Sequence, residues 1–288
     1  MKIKRYDSLF HIFNYSILGI ASLSCLLPFL HILSVSLSSN HAILSGKVLL
    51  WPVEFSFGAY KELFIGTPII SAFQNSTIIT IVGVFLSMMV TVMTAYPLSR
   101  KYFRGRKGLT LGIVFTMLFS GGLIPTFILA KNLGLLNSYW SLWLIGLVSA
   151  YNLLIMKTSF ESIPPELEDA SKIDGCGEFR FLINIVLPLS LPMLTTLSLF
   201  YGIHYWDLFM TVLIYINDTE KYNLAVMVQQ MIQLFSLEDN VSMTNEKDII
   251  PEMIQAASLI VMTLPMIIVY PFVQRFFVKG VMIGAIKG

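Results

Sequence analysis

Charged residues are scarce in this chain. Lysine, arginine, aspartate and glutamate together make up 12% of its 288 residues, against about 25% in an average soluble domain. The formal net charge of +2 gives neither the basic surface of a nucleic-acid-binding protein nor a strong field for acidic substrates, so no nucleic-acid partner is expected. Hydrophobic residues make up 56% of the chain, which indicates a protein whose solvent is the lipid bilayer.

Several chemical signatures are also missing. The two cysteines, Cys25 in an apolar run and Cys176 in a charged segment, form neither a disulfide framework nor a metal cluster pattern. The phosphate-binding pattern G-x-x-x-x-G-K-[ST] is absent, so the chain is not expected to bind nucleotide phosphates by that loop. The H-E-x-x-H and G-x-S-x-G patterns are absent too. No catalytic residue, bound metal or bound cofactor is therefore predicted, and the chain is not expected to be an enzyme.

Six windows are long and apolar enough to cross a bilayer, since about 20 apolar residues span about 30 Å of hydrocarbon. Prolines inside several windows do not exclude a span, because neighbouring helices can satisfy the carbonyls that a proline frees. The sequence thus predicts an all-α, polytopic membrane protein with one transmembrane domain over residues 1–288. The predicted spans are 12–34, 70–96, 109–130, 139–157, 188–206 and 254–274.

Basic residues predict how these spans are oriented, because cytoplasmic loops carry the excess of lysine and arginine. The N-terminus, 97–108, 158–187 and the C-terminal tail hold most of the 19 basic residues. Both termini are therefore predicted on the cytoplasmic side of the cell membrane, with a long outer loop at 207–253. The basic N-terminus also resembles a signal peptide, but no small-x-small cleavage site follows it, so an uncleaved first span is expected.

One cytoplasmic segment, PPELEDASKIDGCGEFRFLINIVLP at 164–188, is charged and articulated in an otherwise apolar chain. Its two prolines start a short helix whose early glutamates suit the positive end of the helix dipole. Gly175 and Gly177 allow a tight turn. A second helix is predicted after the turn, closed by Pro188. The predicted apolar stripe of this second helix is Phe179, Leu182, Ile183 and Val186.

We expect this segment to form two short helices at an angle, lying at the membrane surface. A plain connector would need only a few polar residues. A helix with one anchored face and one charged face can instead dock into a soluble partner and transmit a displacement to the spans. The alternative, which the pattern leaves open, is a solvated interfacial helix that has no partner.

The charged segment resembles the EAA loop of permeases from ATP-binding-cassette (ABC) importers, which is roughly E-E-A-A-x-x-D-G-A, a spacer and I-x-L-P. The matching residues are Glu168, Ala170, Asp174, Gly175, Leu187 and Pro188. Three residues depart from the usual form: Asp169 replaces glutamate, and Ser171 and Cys176 replace alanine. The motif is specific because it combines a spacing, a turn glycine and a closing proline.

The resemblance extends over nearly the whole chain, to the maltose-type carbohydrate permeases and in particular to the branch that handles complex or plant-derived oligosaccharides. The similar stretches are NST at 75–77, AYPLSRK at 95–101, SGGLIPTF at 120–127, YNLLIMKTSF at 151–160, YW at 205–206 and VKGVMIGAIKG at 278–288. NLAVMVQQ at 223–230 departs from this branch, which often has P-L followed by an Arg-Glu pair.

The resemblance implies a type I ABC importer permease fold and a division of labour among subunits. A second homologous permease would complete the pathway, two cytoplasmic ABC ATPase subunits would use ATP and Mg²⁺, and an extracytoplasmic solute-binding protein would deliver a saccharide. The loop 158–187 would be the coupling loop. Its implied ATPase-docking residues are Glu168, Asp169, Ala170, Ser171, Ile173, Asp174 and Gly175. The implied contacts of the C-terminal tail with the ATPase are Gly284, Lys287 and Gly288.

A cluster of aromatic and polar residues near the outer end of the fifth span suggests a substrate path, because aromatic faces stack on sugars and polar tips hydrogen-bond hydroxyls. The candidate path residues are Asn75, Asn152, Tyr201, His204, Tyr205, Trp206 and Asp207. An interfacial aromatic belt is the alternative for the aromatic cluster. The two asparagines could equally join helices within the bundle.

The predicted function is the permease subunit of an ATP-driven importer for a saccharide, specifically a complex oligosaccharide. A secondary transporter or channel subunit that is not driven by ATP is the alternative. Inverted halves and charges within the spans, which such proteins often use, are not evident in this sequence.

Overall fold

The computed structural model describes residues 5–238 and 251–285, and within those ranges the chain is helical with no β-strand. The contacts divide the chain into two compact units. One unit comprises Met1–Ile70 and Met227–Leu264, and the other comprises Ser71–Val226 and Pro265–Gly288. The single domain over 1–288 stays a prediction.

The helices run from the first to the last described residue. In chain order they are α1 (Arg5–Ser36), α2 (Asn40–Leu44), α3 (Gly58–Gly66), α4 (Ile69–Ser99), α5 (Arg106–Leu118), α6 (Leu123–Asn132), α7 (Tyr139–Ile145), α8 (Ala150–Glu161), α9 (Pro165–Ile173), α10 (Glu178–Phe181), α11 (Leu187–Leu189), α12 (Leu191–Trp206), α13 (Met210–Tyr215), α14 (Leu224–Glu238) and α15 (Pro251–Ala285). A π-helical turn, Leu182–Val186, joins α10 to α11, and a 3₁₀ turn, Thr219–Lys221, precedes α14.

Three helices contain continuous stretches that are long and apolar enough to cross a membrane. They are Phe10–Ser36 in α1, Ile69–Ser99 in α4 and Pro251–Phe272 in α15. These stretches cover the predicted spans 12–34 and 70–96 and most of the sixth predicted span. Proline lies inside all three helices, so internal proline does not end these helices.

Two of the other predicted spans, 109–130 and 139–157, are each a pair of helices with a bend, and the fifth, 188–206, is mostly α12, which follows a bend at Ser190. The bend is 111° between α5 and α6, 54° between α7 and α8, and 82° between the Glu178–Leu189 stretch and α12. Counting each pair as one span gives six spans. The hydropathy windows predicted the positions of these spans but not that they are broken.

Local chemistry accounts for the breaks. Gly122 has φ +85° just before α6, a conformation that glycine adopts without steric cost. The α7 helix ends at Gly146, and the Ser149 side chain accepts a hydrogen bond from the Asn152 N–H to start α8 anew. Pro192 lies in the first turn of α12, where its missing N–H removes no intrahelical hydrogen bond.

The first unit ties the end of α1 to the segment that follows it. The Ser38 hydroxyl donates to the Ser34 carbonyl (2.6 Å) and accepts from the Val53 N–H (3.0 Å). The Ser36 hydroxyl lies 2.9 Å from the Tyr60 hydroxyl of α3. Because Ser34, Ser36 and Ser38 are all buried, these hydrogen bonds satisfy polar groups that water does not reach.

The second unit contains two apolar clusters along α4 and α12. The first cluster comprises Ile79, Ala130, Leu142, Trp143, Tyr201, Tyr205, Leu208, Val212, Tyr215, Ile216 and Val226. The second comprises Ala95, Tyr96, Met156, Phe160, Phe181, Leu182, Val186 and Leu197. The second cluster brings the end of α4 together with the second half of the charged segment, and this positions the candidate coupling site.

The predicted outer loop 207–253 is largely ordered in its described part, since it contains α13, the 3₁₀ turn and α14. The Asn75 side-chain amide donates to the carbonyls of Glu220 (2.7 Å) and Tyr222 (2.9 Å). The Ser76 hydroxyl accepts from the Leu224 N–H at 2.8 Å. This loop is therefore fastened to the beginning of α4.

Candidate functional site

The charged segment begins with a short helix and a glycine turn, as the sequence predicts. Pro165 occupies the first turn of α9 together with Glu166 and Glu168. After α9 the chain reverses through Gly175, whose φ is +70°, and the Cys176 N–H donates to the Ser171 carbonyl at 2.8 Å. Gly175 thus supplies a left-handed residue that closes the helix end.

The second half of the segment differs from the prediction in two ways. Pro188 does not close the helix but lies in the first turn of α11, and the bend comes at Ser190. The predicted stripe is also wrong: Leu182 and Val186 are buried, whereas Phe179 is 76% exposed and Ile183 is exposed. The π-helical turn adds a residue to one turn and so shifts Ile183 and the positions after it from a 3.6-residue period, whereas Phe179 lies before that turn.

The outward face of α9 is apolar and uncovered. Leu167, Ala170 and Ile173 recur every third residue, all three are exposed, and Ile173 is 86% exposed. Of the seven predicted docking residues, the exposed ones are Asp169, Ala170, Ile173, Asp174 and Gly175. A short helix with an exposed apolar edge flanked by carboxylates is a surface suited to a protein partner.

The two remaining docking candidates face inward. Ser171 is buried and its hydroxyl donates to the Glu168 carbonyl at 2.8 Å. The Glu168 carboxylate accepts from Arg100 Nη1 at 2.9 Å, and the two side chains are only 13% and 7% exposed. Arg100 follows the last turn of α4, so Glu168 joins α9 to a membrane-spanning helix.

Aromatic rings and further carboxylates surround this ion pair. The Arg100 guanidinium carbon lies 4.6 Å from the Tyr96 ring centroid and 5.4 Å from that of Phe181. The Tyr96 hydroxyl donates to Glu178 Oε2 at 2.6 Å. Cation–π attraction of this kind strengthens where water is excluded, so the rings help to hold the guanidinium under α9.

Lys172 completes the network on its exposed side. Its Nζ donates to Glu168 Oε1 at 2.6 Å, and this hydrogen bond raises the pKa of Lys172. The same Nζ lies 4.9 Å from the centroid of the Tyr102 ring. Burial, and then a hydrogen bond to Glu178, raise the pKa of Tyr102 to about 12. Tyr102 therefore keeps its proton at neutral pH and acts as a donor.

Sequence reasoning missed the inner half of this site. Arg100 and Tyr96 entered the sequence analysis only within AYPLSRK, and Glu178 only as part of the quoted stretch 164–188. Arg100 and Glu168 are 68 residues apart, and no periodicity links positions at that distance. Only the similarity of AYPLSRK to the permease family marked the stretch as special.

The candidate path tyrosines lie in the interior of the second unit. Tyr201 and Tyr205 are 1% and 0% exposed. The Tyr201 hydroxyl lies 2.8 Å from the Thr91 hydroxyl and accepts from the Ser149 N–H at 3.1 Å. The Tyr205 hydroxyl lies 2.9 Å from that of Ser87. In this conformation neither ring offers a face to a sugar.

These tyrosines instead stabilise the bend between α7 and α8. The break frees backbone groups, and the Tyr205 hydroxyl lies within reach of the Trp143 and Gly146 carbonyls, at 3.5 and 3.4 Å. Tyr201 meets the Ser149 N–H on the other side of the break. The two hydroxyls thus satisfy groups that cannot be left unpaired in a bilayer. We call Tyr201 and Tyr205 with their partners the tyrosine clasp.

The asparagines on the list of path candidates also have structural positions. The Asn75 amide holds the outer loop, as described above, and Asn152 is buried in the first turn of α8. His204 and Asp207 are exposed. His204 lies beside the α7–α8 bend, since a Cβ added to Gly146 would come within 3.1 Å of His204 Nε2.

Trp206 is the one aromatic candidate that lines a pocket described for the second unit. The pocket has a volume of about 340 Å³. Its lining is Thr77, Thr80, Ile81, Thr195, Ser198, Leu199, Gly202, Trp206, Pro265, Met266 and Val269. An apolar wall with a few hydroxyls and one large ring is the composition expected of a small-molecule site.

The C-terminal tail is described only in part. Gly284 lies near the end of α15. Lys287 and Gly288 lie outside the described residues, and their predicted role stays a prediction.

Comparison with known proteins gives full-length matches. Residues 3–283 match the family described as binding-protein-dependent transport system inner membrane component. The chain is 41% identical over 284 residues to the polygalacturonan/rhamnogalacturonan transport system permease protein YtcP of Bacillus subtilis, with 98% of this chain and 99% of the relative covered. It is 38% identical to protein LplC of the same organism, with 97% and 95% covered.

A solved structure also matches the fold of this chain. A chain in the crystal structure of a bacterial ABC transporter involved in the import of the acidic polysaccharide alginate superposes with a TM-score of 0.87 at 31% identity. The match covers 96% of this chain and 99% of that one. The predicted resemblance and the type I ABC importer permease fold are therefore confirmed, and the chain is a multi-pass membrane protein that belongs to the family of binding-protein-dependent transport system inner membrane components.

Proposed function

We propose that this chain is the permease subunit of an ATP-driven importer that carries a complex oligosaccharide into the cell. The observation that carries the proposal is the exposed apolar edge of α9, held against a membrane-spanning helix in a chain that lacks a phosphate-binding loop. Such an edge suits docking on a separate ATPase subunit, where ATP and Mg²⁺ would be used. On this proposal both termini and α9 lie on the cytoplasmic side.

The remaining partners follow from the same proposal. A second, homologous permease would complete the pathway and would cover α1, whose apolar window is left bare by the described part of the chain. Two ATPase subunits would hold the two permeases from the cytoplasm, and the tail residues Gly284, Lys287 and Gly288 would lie along one of them. A solute-binding protein would deliver the sugar to the outer loop, in keeping with the family's description.

The substrate class is inferred from relatives and from the pocket. The relatives are described as transporting polygalacturonan or rhamnogalacturonan and the acidic polysaccharide alginate. The pocket beside Trp206 offers a stacking ring and four hydroxyl-bearing side chains. We therefore propose fragments of acidic polysaccharides as the first substrates to test, with Trp206, His204 and Asp207 nearest to the path.

Reconstitution tests this function directly. The four membrane and ATPase subunits are placed in liposomes with the binding protein, and uptake of labelled oligogalacturonides is measured with and without ATP. Uptake that needs ATP and the binding protein is expected. Uptake by this chain alone under an ion gradient would support a secondary transporter instead.

Docking is tested in the same complex. A cysteine replacing Asp169 or Ile173 should crosslink to an ATPase subunit, whereas a cysteine replacing exposed Tyr151 on α8 should not. If neither α9 position crosslinks in an assembled complex, α9 is not the docking element.

A further inference from the structure

The helix α9 makes few contacts with the rest of the described chain. Ser171 is the only buried residue of α9, and the apolar side chains of the helix point outward. Besides its covalent neighbours, the strong contact that α9 makes is the ion pair between Glu168 and Arg100. An element that must move a membrane span when it is pushed is therefore joined to the end of that span by one ion pair, beside the contact of Lys172 with the Tyr102 ring.

The Arg100–Glu168 ion pair is costly to break because it is buried. A buried ion that loses its partner retains the cost of leaving water, so breaking such a pair is far more costly than breaking an exposed one. Two other nitrogens of the guanidinium, Nε and Nη2, have no hydrogen-bond partner among the described residues. Within the described chain, the carboxylate at ion-pair distance from Arg100 is that of Glu168.

The other arm of the charged segment reaches the same turn of α4. Glu178, the first residue of α10, accepts from Tyr96, which precedes Arg100 by four residues and shares its face. Phe181 packs under the guanidinium. Both arms therefore converge on a single helical turn, and α4 continues from there to Ser87 and Thr91 in the tyrosine clasp.

We propose that the Arg100–Glu168 ion pair is the link through which a displacement of α9 is transmitted to α4, and that both residues position α9 for coupling. The inference rests on the proposed function. It concerns contacts inside this chain, whereas the docking proposal concerns the contact of α9 with another subunit. A displacement carried by α4 would reach the α7–α8 bend, because the tyrosine clasp joins those helices.

The test separates coupling from assembly. In the reconstituted complex, Glu168→Gln and Arg100→Met are compared with the exchanged pair Arg100→Glu/Glu168→Arg. The control is Arg106→Gln, which removes a more exposed ion pair with Glu161 at 3.1 Å in the same unit and should change little. The readouts are complex assembly, crosslinking of a cysteine at 169 to the ATPase, and sugar transported per ATP hydrolysed.

We expect Glu168→Gln to assemble and to crosslink normally, but to transport about ten-fold less sugar per ATP, as for other residues that carry coupling. The exchanged pair should recover part of this ratio, and Arg106→Gln should match the unmodified complex.

Three results would overturn the inference. A normal transport-to-ATP ratio in both single variants would show that the pair carries no coupling. Failure of every variant to assemble, the exchanged pair included, would show a purely structural pair. If the unmodified complex takes up no sugar with ATP, the proposed function itself is wrong and this inference falls with it.

Discussion

At the scale of single residues, the two tyrosines of α12 are placed by the hydrogen bonds of their hydroxyls as well as by the packing of their rings. Aromatic residues at a span end suggest sugar stacking or an interfacial belt, and the structure gives Tyr201 and Tyr205 a different task. Each hydroxyl meets a hydroxyl of α4 and also a backbone group freed at the α7–α8 bend. The rings of Tyr201 and Tyr205 pack in the first apolar cluster, around these hydrogen bonds.

Removing one of these hydroxyls should destabilise the protein without creating a cavity. Tyr205→Phe leaves the Ser87 hydroxyl and the carbonyls at the bend without their partner, at a cost of about 1–3 kcal/mol in the free energy of unfolding. Tyr201→Phe should behave alike. The measurement is thermal unfolding of the purified chain in detergent, with Tyr151→Phe on exposed α8 as the matched control. Equal melting temperatures for all variants would contradict the clasp.

Gly83 is the second residue-scale feature of the clasp. A Cβ at this position would lie 2.7 Å from atoms of the Tyr205 ring, which is closer than real Cβ atoms approach. Gly83→Ala should therefore destabilise the chain by about 1–3 kcal/mol, because a packed ring must shift. Gly112→Ala, with open space around it, should be neutral or slightly stabilising because alanine favours helix. A stabilised Gly83→Ala variant in the same unfolding assay would show that Tyr205 moves freely.

At the scale of elements, the sequence predicts where the apolar segments lie better than how they bend. Hydropathy windows depend on composition along the chain, and six windows correspond to three long helices and three bent pairs. A bend depends on which distant groups satisfy the backbone, as Tyr201 does for Ser149. The apolar stripe of the second helix was predicted from a 3.6-residue period, which includes neither the π-helical turn at Leu182–Val186 nor tertiary contacts.

The charged segment was predicted well where its chemistry is local. Pro165, the early glutamates and Gly175 act within a few residues of their own positions, and α9 with its turn follows from them. Arg100 was not predicted as the partner of Glu168, because that pairing exists only once α4 and α9 have packed.

The glycine turn after α9 gives an element-scale prediction. Gly175 has φ +70°, whereas Gly177 has φ −74°, and neither has atoms within 4 Å of an added Cβ. Gly175→Val should therefore strain the turn by about 1–2 kcal/mol or more, while Gly177→Ala meets no such restriction. We expect Gly175→Val to weaken assembly with the ATPase in a pull-down and Gly177→Ala to assemble normally. Equal assembly would show that the angle between α9 and α10 is not needed.

At the scale of the whole molecule, a loss of sugar transport at the pocket beside Trp206 has to be measured together with stability, because Trp206 is 5% exposed. Trp206→Ala removes the one large ring of the lining, and a lost stacking contact is worth about 1 kcal/mol. Uptake in vesicles, measured per assembled complex, should then fall several-fold at low sugar concentration, because truncating a buried tryptophan also lowers the stability of the chain. Trp140→Ala on α7, a half-exposed ring outside the pocket, is the control. Unchanged uptake in Trp206→Ala would remove this residue from the path.

The ion pair between Arg100 and Glu168 forms only after both residues have been synthesised, and Arg100 is synthesised first. Glu168 is synthesised 68 residues after Arg100, a delay of several seconds at about 5–20 residues per second. During that interval Arg100 has not yet met Glu168 and counts among the basic residues of its loop, the residues from which a cytoplasmic side is predicted for that loop. When α9 emerges, the same charge becomes neutralised and buried. One arginine can therefore serve first as a topology signal for the nascent chain and later as an internal fastening of the folded one.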